Sequence, residues 1–397
     1  MTLLSKFDSL AAERAALLST GFDPFGIPIE QIYSPTEALI EGRRILLAGT
    51  NNYLGLTFAP ECLQAVHEAI DREGTGTTGS RMANGSFAGH RALEQELADF
   101  YECRSAIVFT TGYQANLAMI SGLARAGEDT LLIDADCHAS IYDGCRLSGA
   151  DVIRFRHNDV ADLDKRLRRL GDRAARALII VEGIYSMLGD RAPLADFVDL
   201  KNTYGSYLLV DEAHSLGVLG HYGRGLVEQT DLINEVDFIV GTFSKSLGST
   251  GGYCASNHPE LDLLRYTSRP FVFTASPSPT VVASTRAALP LLREGVVLRK
   301  KLWENARRLY QHLDGLGYKL GPEPSPVIAV LLKSREQARA LWEGLFEHGI
   351  YVNLIFAPAT PGDESLVRCS VSAAHTGEQI DHICQAFAEL RELASTS

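Results

Sequence analysis

The chain contains 397 residues, of which 46% are hydrophobic and 22% charged, which excludes a disordered or fibrous protein and predicts a soluble globular chain with one large domain and smaller additions. Its formal charge of −12 argues against a nucleic-acid-binding surface, because phosphate binding draws mainly on clustered Lys and Arg. The basic run from Lys165 to Arg169 is interpreted as the solvated face of a helix. The seven cysteines show neither a C-x-x-C pair nor zinc-site spacing, which favours reduced thiols in the cytoplasm and predicts no metal site.

The first residues predict a helix with one apolar face, formed by Leu3, Phe7, Leu10 and Leu17. Acidic residues lie among these positions, unlike a signal peptide, and no apolar run in the chain approaches the ~20 residues of a membrane span. The apolar face has two interpretations: it docks on the body of the protein, which we expect, or it touches a membrane surface. Residues 1–45 are assigned to this helix and a following arm.

Six short apolar runs then alternate with helical patterns, and they predict the strands of one sheet. They are Ala106–Phe109, Thr130–Ile133, Val152–Phe155, Leu178–Val181, Tyr207–Val210 and Phe238–Val240. Near-continuous apolar strands joined by crossover helices are typical of a mainly parallel sheet covered on both faces, so the fold class is α/β. Residues 46–280 are assigned to this large domain. Ligands of such sheets bind at the carboxyl ends of the strands, where we expect the chemistry.

The pattern changes after Phe273, where longer helices and isolated strands predict a smaller α+β domain over residues 281–397. The predicted elements are a long helical stretch from Pro279 to about Leu313, a strand Val327–Leu331, a helix Arg335–Glu347, a strand Leu366–Val371 and a last helix from about Glu378.

Two motifs in the sequence resemble those of nucleotide-binding sites. Residues Gly74–Gly79 match G-x-G-x-x-G, but a helical pattern precedes them and no helix pattern follows at once, so a dinucleotide fold is disfavoured. Asp211–His214 resembles a helicase motif, but the phosphate-binding G-x-x-x-x-G-K-[ST] run that such an ATPase requires does not occur. An ATPase is therefore the weaker hypothesis.

The same strand ends contain the parts of a pyridoxal-phosphate site, which needs an amine, an acid for the ring nitrogen, a stacking group and phosphate donors. Lys245 follows the strand Phe238–Val240, where a partly desolvated lysine forms a Schiff base and later acts as a base. Asp211 is placed to pair with the ring nitrogen, and His214 to reach the ring hydroxyl. Alone, the lysine could be a solvated surface charge and the aspartate a helix cap.

Phosphate donors are predicted where residues 110–116 follow a strand and open a helix, because free backbone N–H groups and the helix dipole favour an anion there. Thr242 and Ser244 add hydroxyl groups next to Lys245. His138 is placed to stack on the ring. An ordinary capped turn and a hydrogen-bonded polar histidine are the structural alternatives for these positions.

Taken together, these motifs resemble those of the α-oxoamine synthases, fold-type-I pyridoxal-phosphate enzymes that condense an amino acid with an acyl thioester and release carbon dioxide. The resemblance runs from about residue 45 to the C-terminus and is carried by residues 51–56, 74–81, 111–116, 136–140, 182–187, 211–214 and 241–246. It implies a large domain with a mainly parallel seven-stranded sheet between helices, and a smaller α+β C-terminal domain.

The resemblance also implies roles for individual residues. It assigns catalysis to Lys245, His138, Asp211 and His214. It places at the cofactor Gly112, Tyr113, His138, Ser186, Asp211, His214, Thr242, Ser244 and Lys245. It places at the amino-acid substrate Asn52, Ser80, His138, Ser186 and Arg368, of which Arg368 has the planar fork that binds a carboxylate bidentately. Thr274 and Ala275 match residues that reach the cofactor phosphate of the neighbouring subunit, which implies a homodimer with shared sites.

Within the family, the chain is most similar to the bacterial branch that condenses L-serine with a long-chain acyl thioester at the start of sphingolipid synthesis. Residues 138–144, 243–246, 268–276 and 358–361 carry this similarity. One position departs from it, because close relatives place a carboxylate-binding arginine before the Pro-Ala-Thr-Pro run where this chain has Phe356. Sister enzymes that use glycine can also lack that arginine.

The implied reaction begins when L-serine takes the place of Lys245 on the cofactor. The freed lysine removes the Cα proton, the carbanion attacks a thioester such as palmitoyl-CoA or an acyl carrier protein, and decarboxylation gives 3-ketodihydrosphingosine. The alternatives are a sister synthase that uses glycine or alanine (2-amino-3-ketobutyrate CoA ligase, 8-amino-7-oxononanoate synthase), a transaminase, and a lysine-free regulatory subunit, against which Lys245 argues directly.

Overall fold

A seven-stranded β-sheet forms the centre of the chain. The computed structural model describes residues 2–18, 23–357, 360 and 364–395. The strands in these ranges are β1 Gln31–Ser34, β2 Glu37–Ile40, β3 Arg43–Leu47, β4 Ser105–Phe109, β5 Thr130–Asp134, β6 Asp151–Phe155, β7 Ala177–Glu182, β8 Tyr207–Asp211, β9 Phe238–Thr242, β10 Gly252–Ser256, β11 Val327–Leu332, β12 Ile350–Tyr351, β13 Asn353–Ile355 and β14 Ser365–Ser370.

The central sheet has the strand order β4-β10-β9-β8-β7-β5-β6. Strands β5 to β9 pair in parallel, whereas β10 runs antiparallel to both of its neighbours. The α/β fold, the mainly parallel sheet and all six strands predicted for it are confirmed. Strand β10, Gly252–Ser256, was not among the predicted strands; its apolar run, Tyr253–Ala255, lacks the β-branched residues that every predicted strand contains.

Helices cover both faces of this sheet, and this explains why its strands read as unbroken apolar runs. Leu131, Leu132 and Ile133 in β5 are fully buried, as are Ile179 and Ile180 in β7. Each such side chain contributes roughly 1.5–3 kcal/mol through removal from water. The sheet is therefore a rigid platform for the loops that follow its strands.

The helices are α1 Asp8–Leu18, α2 Pro60–Glu73, α3 Ala88–Tyr101, α4 Gly112–Leu123, α5 Ala139–Ser148, α6 Val160–Leu170, α7 Leu194–Tyr204, α8 Leu226–Gln229, α9 Leu264–Thr267, α10 Arg269–Val272, α11 Pro279–Glu294, α12 Val296–Gly315, α13 Arg335–Glu347, α14 Gly377–Glu389 and α15 Arg391–Ser395. Helix α2 directly precedes Gly74–Gly79, and the next helix in the described chain begins only at Ala88, so that run is not a dinucleotide-binding turn. The basic run lies on α6, with Leu167 buried and Arg168 exposed, as predicted.

The helical stretch predicted from Pro279 to about Leu313 is confirmed, and the structure divides it into two helices, α11 and α12, that meet at Gly295. A side chain would not fit at this junction. A Cβ on Gly295 would lie 2.7 Å from the carbonyl oxygen of Leu291. The periodicity of apolar residues continues across the junction, so the sequence pattern did not reveal it.

Two smaller sheets join segments that are far apart in the chain. Strands β1, β2, β3 and β12 form one sheet, in which β3 and β12 pair in parallel, and β11, β14 and β13 form the other. A backbone hydrogen bond of 2.7 Å from Ser370 N to Ala48 O connects the end of β14 to the segment after β3. This contact brings Arg368, on β14, close to the loop that begins at Asn51.

The N-terminal helix differs from the prediction that it docks on the body of the protein. A 3-10 turn, Ser5–Phe7, leads into α1, and the side chains of Leu3, Phe7 and Leu10 are 82%, 49% and 60% exposed. The side chain of Leu17 lies outside the described part. Across the ranges that the structure describes, none of the helices is both long and apolar enough to cross a bilayer.

Candidate active site

The carboxyl ends of the parallel strands bring most of the predicted site residues into one cavity. Its volume is about 260 Å³. Among the residues that line it are eight predicted ones, namely Gly112, Tyr113, His138, Asp211, His214, Thr242, Ser244 and Lys245. The register of the sheet explains this, since Glu182, Asp211 and Val240 stand side by side on β7, β8 and β9.

Lys245 follows β9 and its amine faces the carboxylates of this cavity. Burial lowers the pKa of Lys245 to about 8, although the negative charges of Asp211 and Glu182 oppose the change. An amine with this pKa is largely neutral slightly above pH 8, and the neutral form is the nucleophile that adds to an aldehyde.

Asp211 is held in place by two hydrogen bonds. The side-chain amide of Asn116 donates to Oδ2 at 2.7 Å, and the backbone N–H of Ala213 donates to Oδ1 at 2.9 Å. Asn116 also donates to the hydroxyl of Ser140 at 3.0 Å, so its orientation is set from a second side. Donors to both oxygens stabilise the ionised carboxylate, which is the form that can hold a protonated ring nitrogen.

The amino end of α4 and the residues around the end of β9 form a site that suits an anion. Thr111 caps the helix, and its hydroxyl accepts a hydrogen bond of 3.0 Å from Gln114 N. A Cβ on Gly112 would lie 2.9 Å from Cβ of Thr242, so only glycine keeps the helix end this close to β9. The hydroxyls of Thr242 and Ser244 are 2.8 Å apart beside it. Helix dipole, free N–H groups and hydroxyls together suit a phosphate.

His138 is the N-cap of α5, and its ring lies at the cavity. Its Nδ1 is 2.8 Å from the hydroxyl of Ser140, and its backbone N–H donates to the carboxyl group of Glu182. Burial lowers the pKa of His138, with Lys245 acting in the same direction and Asp211 opposing, so the ring is neutral near pH 7. A neutral, fixed imidazole is suited to stack on an aromatic cofactor.

His214 connects the cavity to the region of Arg368. Its Nδ1 is 2.7 Å from the hydroxyl of Tyr53, which leaves Nε2 for a ligand. Arg368 is buried on β14, where its Nη2 donates to Asn51 Oδ1 at 3.1 Å and its Nε has no hydrogen-bond partner among the described residues. A buried guanidinium with an unused donor fits a bidentate carboxylate ligand.

The other predicted site residues, like Arg368, do not line this cavity. Asn52 is buried next to Tyr53, with its amide donating to Thr57 at 2.8 Å and its Oδ1 without a partner among the described residues. Ser186 is buried, Ser80 and Thr274 are half-buried, and Ala275 is exposed. Their predicted roles stay predictions.

Three further residues of the site were not singled out from the sequence, namely Tyr53, Asn116 and Glu182. Glu182 is the last residue of β7, so the strand-end argument that identified Asp211 applies to it equally. Burial and the neighbouring Asp211 raise the pKa of Glu182 well above its ordinary value. Tyr53 and Asn116 lie in segments that carry the resemblance, but they act through tertiary contacts, which apolar patterns and strand ends do not reveal.

Phe356, at the position where the resemblance implies an arginine in some close relatives, is half-buried. Its ring lies edge-on to Phe25 at 5.8 Å, and the guanidinium of Arg335 lies over it at 5.5 Å. Of the following residues 358–361, only Thr360 is among those that the structure describes.

Comparisons with known proteins agree with this geometry. The aminotransferase class I and II family matches residues 43–387. The serine palmitoyltransferase of Caulobacter vibrioides is 54% identical over 94% of this chain and 93% of its own length. A crystallised serine palmitoyltransferase variant from S. paucimobilis with bound PLP–myriocin aldimine superposes with a TM-score of 0.97, at 48% identity and with both chains fully covered. The 8-amino-7-oxononanoate synthase of Thermoanaerobacter pseudethanolicus is more distant, at 36% identity over 89% of each chain.

The residues of the cavity fit pyridoxal phosphate. The amine of Lys245, the carboxylate of Asp211 and the ring of His138 converge on one space, and the glycine at the amino end of α4 leaves room for an anion. These are the amine, acid, stacking and phosphate positions that this cofactor requires.

Proposed function

Because this chain belongs to the aminotransferase class I and II family and, within it, to the serine palmitoyltransferases among the α-oxoamine synthases, we propose that it condenses L-serine with a long-chain acyl thioester. The products are 3-ketodihydrosphingosine, carbon dioxide and the free thiol, at the start of sphingolipid synthesis. The chain is a pyridoxal-phosphate-dependent acyltransferase. The observation that carries the proposal is the amine of Lys245 in one cavity with Asp211 and the amino end of α4.

Each residue of the cavity has a defined task. Bound pyridoxal phosphate supplies the electron sink that stabilises negative charge at the substrate Cα. Asp211 holds a proton on the ring nitrogen, and His138 stacks on the ring and orients the substrate carboxylate. Lys245 holds the cofactor between turnovers and removes the Cα proton of serine.

Arg368 is the residue we assign to the substrate carboxylate. Its unpaired Nε and its burial mean that an incoming carboxylate gains charge-assisted hydrogen bonds in a place shielded from water. Asn52, Ser80 and Ser186 complete the substrate side in this proposal. Because the loop position that the resemblance gives to an arginine has Phe356 in this chain, we assign the carboxylate of the amino-acid substrate to Arg368.

The experiment that tests the substrate assignment is a titration of the visible absorbance of the bound cofactor with L-serine, glycine and L-alanine. We expect serine to change the spectrum at the lowest concentration. Mass spectrometry of the products made from serine and a panel of acyl thioesters then identifies the chain length, and parallel assays compare acyl-CoA with acyl carrier protein. If glycine or alanine changes the spectrum and serine does not, a sister synthase is the correct assignment.

Thiol release separates condensation from transamination. A condensing enzyme releases thiol only when amino acid and acyl thioester are both present, whereas a transaminase forms a keto acid without an acyl donor. Keto-acid formation from serine alone, at a rate comparable to condensation, would contradict the proposal.

We further propose a homodimer in which Thr274 and Ala275 reach the cofactor phosphate of the partner subunit. Neither residue lines the cavity of its own chain, and Ala275 is exposed. Mixed dimers test this: Lys245→Ala subunits combined with subunits carrying a bulky Ala275→Trp change should contain one site free of both changes and regain activity. Two inactive parents that stay inactive after mixing, although dimers form, would exclude the shared site.

The proposed location is the cytoplasm, with α1 as the segment that contacts a membrane surface. Leu10 on α1 is exposed, as are Phe7 in the preceding 3-10 turn and Leu3 before that turn. Co-sedimentation with phospholipid vesicles should fall when Phe7 and Leu10 are both changed to Ser. Unchanged sedimentation of this double variant would exclude the helix as the contact.

A further inference from the structure

A buried charge cluster lies next to the cavity, at the carboxyl ends of β5 and β6. His157, two residues after β6, lies between two aspartates, with Nδ1 at 2.8 Å from Asp134 Oδ1 and Nε2 at 2.7 Å from Asp190 Oδ2. Asp134 ends β5 and is fully buried, and Asp190 lies in the hairpin that follows β7. One imidazole ring therefore joins its own segment to two others, so three segments of the chain meet here.

The chemistry of these contacts requires a charged ring. A neutral imidazole donates from only one nitrogen, and an ionised carboxylate only accepts, so two carboxylates can be satisfied together only by an imidazolium. Asp136, whose Oδ2 is 3.8 Å from Nδ1, adds negative charge on the same side. The edge-to-face contact with Tyr185, at 4.5 Å between ring centroids, fixes the plane of the ring.

Further hydrogen bonds connect the same three segments. The backbone N–H of Asn158 donates to Asp134 Oδ2 at 2.8 Å, and its side-chain amide donates to Asp190 Oδ2 at 2.9 Å. Asn158 adopts a positive φ of 51°, which asparagine tolerates better than most residues. Within the hairpin, Tyr185 N donates to Asp190 O at 2.8 Å.

The three joined segments lead directly into the active site. The turn that begins at Asp134 ends at His138, and the hairpin held by Asp190 contains Ser186 and continues from Glu182. Glu182 in turn accepts the hydrogen bond from the backbone of His138. The position of the His138 ring thus depends on how these segments are held together.

We propose that His157 is a positioning residue, whose imidazolium ties the hairpin of residues 183–191 to the turn of residues 134–138 and so fixes the ring of His138 over the cofactor. This inference deepens the proposed function, because it concerns the same site. It assigns His157 no contact with substrate or cofactor.

The first test compares His157→Gln with wild type in the binding of pyridoxal phosphate to the apoenzyme. Glutamine can donate to one aspartate but leaves two carboxylates facing each other without a cation. We expect the Kd for the cofactor and the KM for serine to rise about 10- to 100-fold, because small displacements of positioning groups have effects of this size. Cofactor affinity is measured without substrates, so the result does not depend on which amino acid the enzyme condenses.

A charge-balance rescue distinguishes positioning from general stabilisation. Asp190→Asn combined with H157Q removes one carboxylate together with the cation, and this double variant should bind the cofactor several-fold more tightly than H157Q alone. His258→Gln is the matched control, because His258 also pairs with an aspartate, Asp237, at 2.8 Å but lies at the amino ends of the parallel strands, away from the cavity. H258Q should keep the wild-type cofactor affinity.

Two results would overturn the proposal. One is H157Q with wild-type cofactor affinity and KM, even if its urea midpoint falls. The other is an equal loss of affinity in H157Q and H258Q. If H157Q does not fold, the cofactor affinity of the single variant Asp190→Asn is measured instead, because this variant keeps the contact between His157 and Asp134. Wild-type cofactor affinity of D190N would then exclude the positioning role of His157.

Discussion

Glu182 and Asp211 stand opposite each other on neighbouring parallel strands, and both carboxyl groups reach the cavity that contains Lys245. Asp211 has two hydrogen-bond donors from its own surroundings. Glu182, in contrast, is buried beside that negative charge, which raises its pKa well above the ordinary range. Burial and the neighbouring Asp211 therefore disfavour the anion of Glu182, while Asp211 is the carboxyl group that receives two donors.

This division of charge predicts different effects of two substitutions at Glu182. Glu182→Gln resembles the protonated acid and still accepts from the His138 backbone, so kcat/KM at pH 7 should stay within about threefold of wild type. Glu182→Ala removes the acceptor and should lower kcat/KM by roughly tenfold, for the loss of one buried hydrogen bond. Steady-state kinetics of both variants check this. Equal losses in both would show that the charge of Glu182 matters.

The reaction of the apoenzyme with pyridoxal phosphate should depend on pH through Lys245. Because the pKa of this lysine is about 8, the fraction of neutral amine falls tenfold for each pH unit below that value. Stopped-flow absorbance should show a rate that rises up to about pH 8 and then levels off. A rate that continues to rise towards pH 10 would mean an ordinary lysine. Lys245→Ala should show neither the absorbance band nor turnover.

Arg368 should control the binding of serine more than the chemical step. In Arg368→Gln we expect the KM for serine to rise about 100-fold, since a charge-assisted bidentate pair is lost. Arg368→Lys should recover only part of this, because an ammonium group is a single-point donor. The affinity for pyridoxal phosphate serves as the internal control and should stay unchanged in both variants. A fall confined to kcat would contradict the assignment.

His157 should make protein stability depend on pH. Burial opposes its charge, but hydrogen bonds to Asp134 and Asp190 raise the pKa of His157 to about 10, compared with about 6.5 for an unfolded histidine. A raised folded-state pKa stabilises the fold fully below about pH 6.5, and this stabilisation declines as the pH rises and is lost above about pH 10. Urea unfolding should show wild type about 1–3 kcal/mol more stable than H157Q at low pH. A difference that grows with pH would contradict this sign.

The central sheet could be predicted because its signals are local. Runs such as Leu131–Ile133 are buried on both sides, and the polar residues after them, Asp211 and Lys245 among others, follow at fixed points of the strands. The junction at Gly295 and the partners of Arg368 could not be predicted in this way. The first is a local contact of Gly295 with the carbonyl oxygen of Leu291, and the second joins residues hundreds of positions apart; apolar periodicity is insensitive to both.

The N-terminal helix shows a second limit of structure prediction from apolar patterns. A pattern of apolar residues predicts that a face will be covered but does not identify what covers it. Leu3 and Leu10 are exposed in the isolated subunit, so the assumption that their own chain covers them was wrong. The resemblance to a family supplied the roles of Thr274 and Ala275, which the fold of one subunit does not test.

The hydrogen bond between Arg368 and Asn51 also has a consequence for how the protein is made. The ribosome produces Asn51 early and Arg368 near the end, about 120 residues after Lys245. At roughly 5–20 residues per second, several seconds separate these last two residues. A nascent chain can thus contain Asp211 and Lys245 while Arg368 does not yet exist. With the roles proposed above, the growing polypeptide acquires the residues that hold pyridoxal phosphate before it acquires the residue that holds the substrate carboxylate.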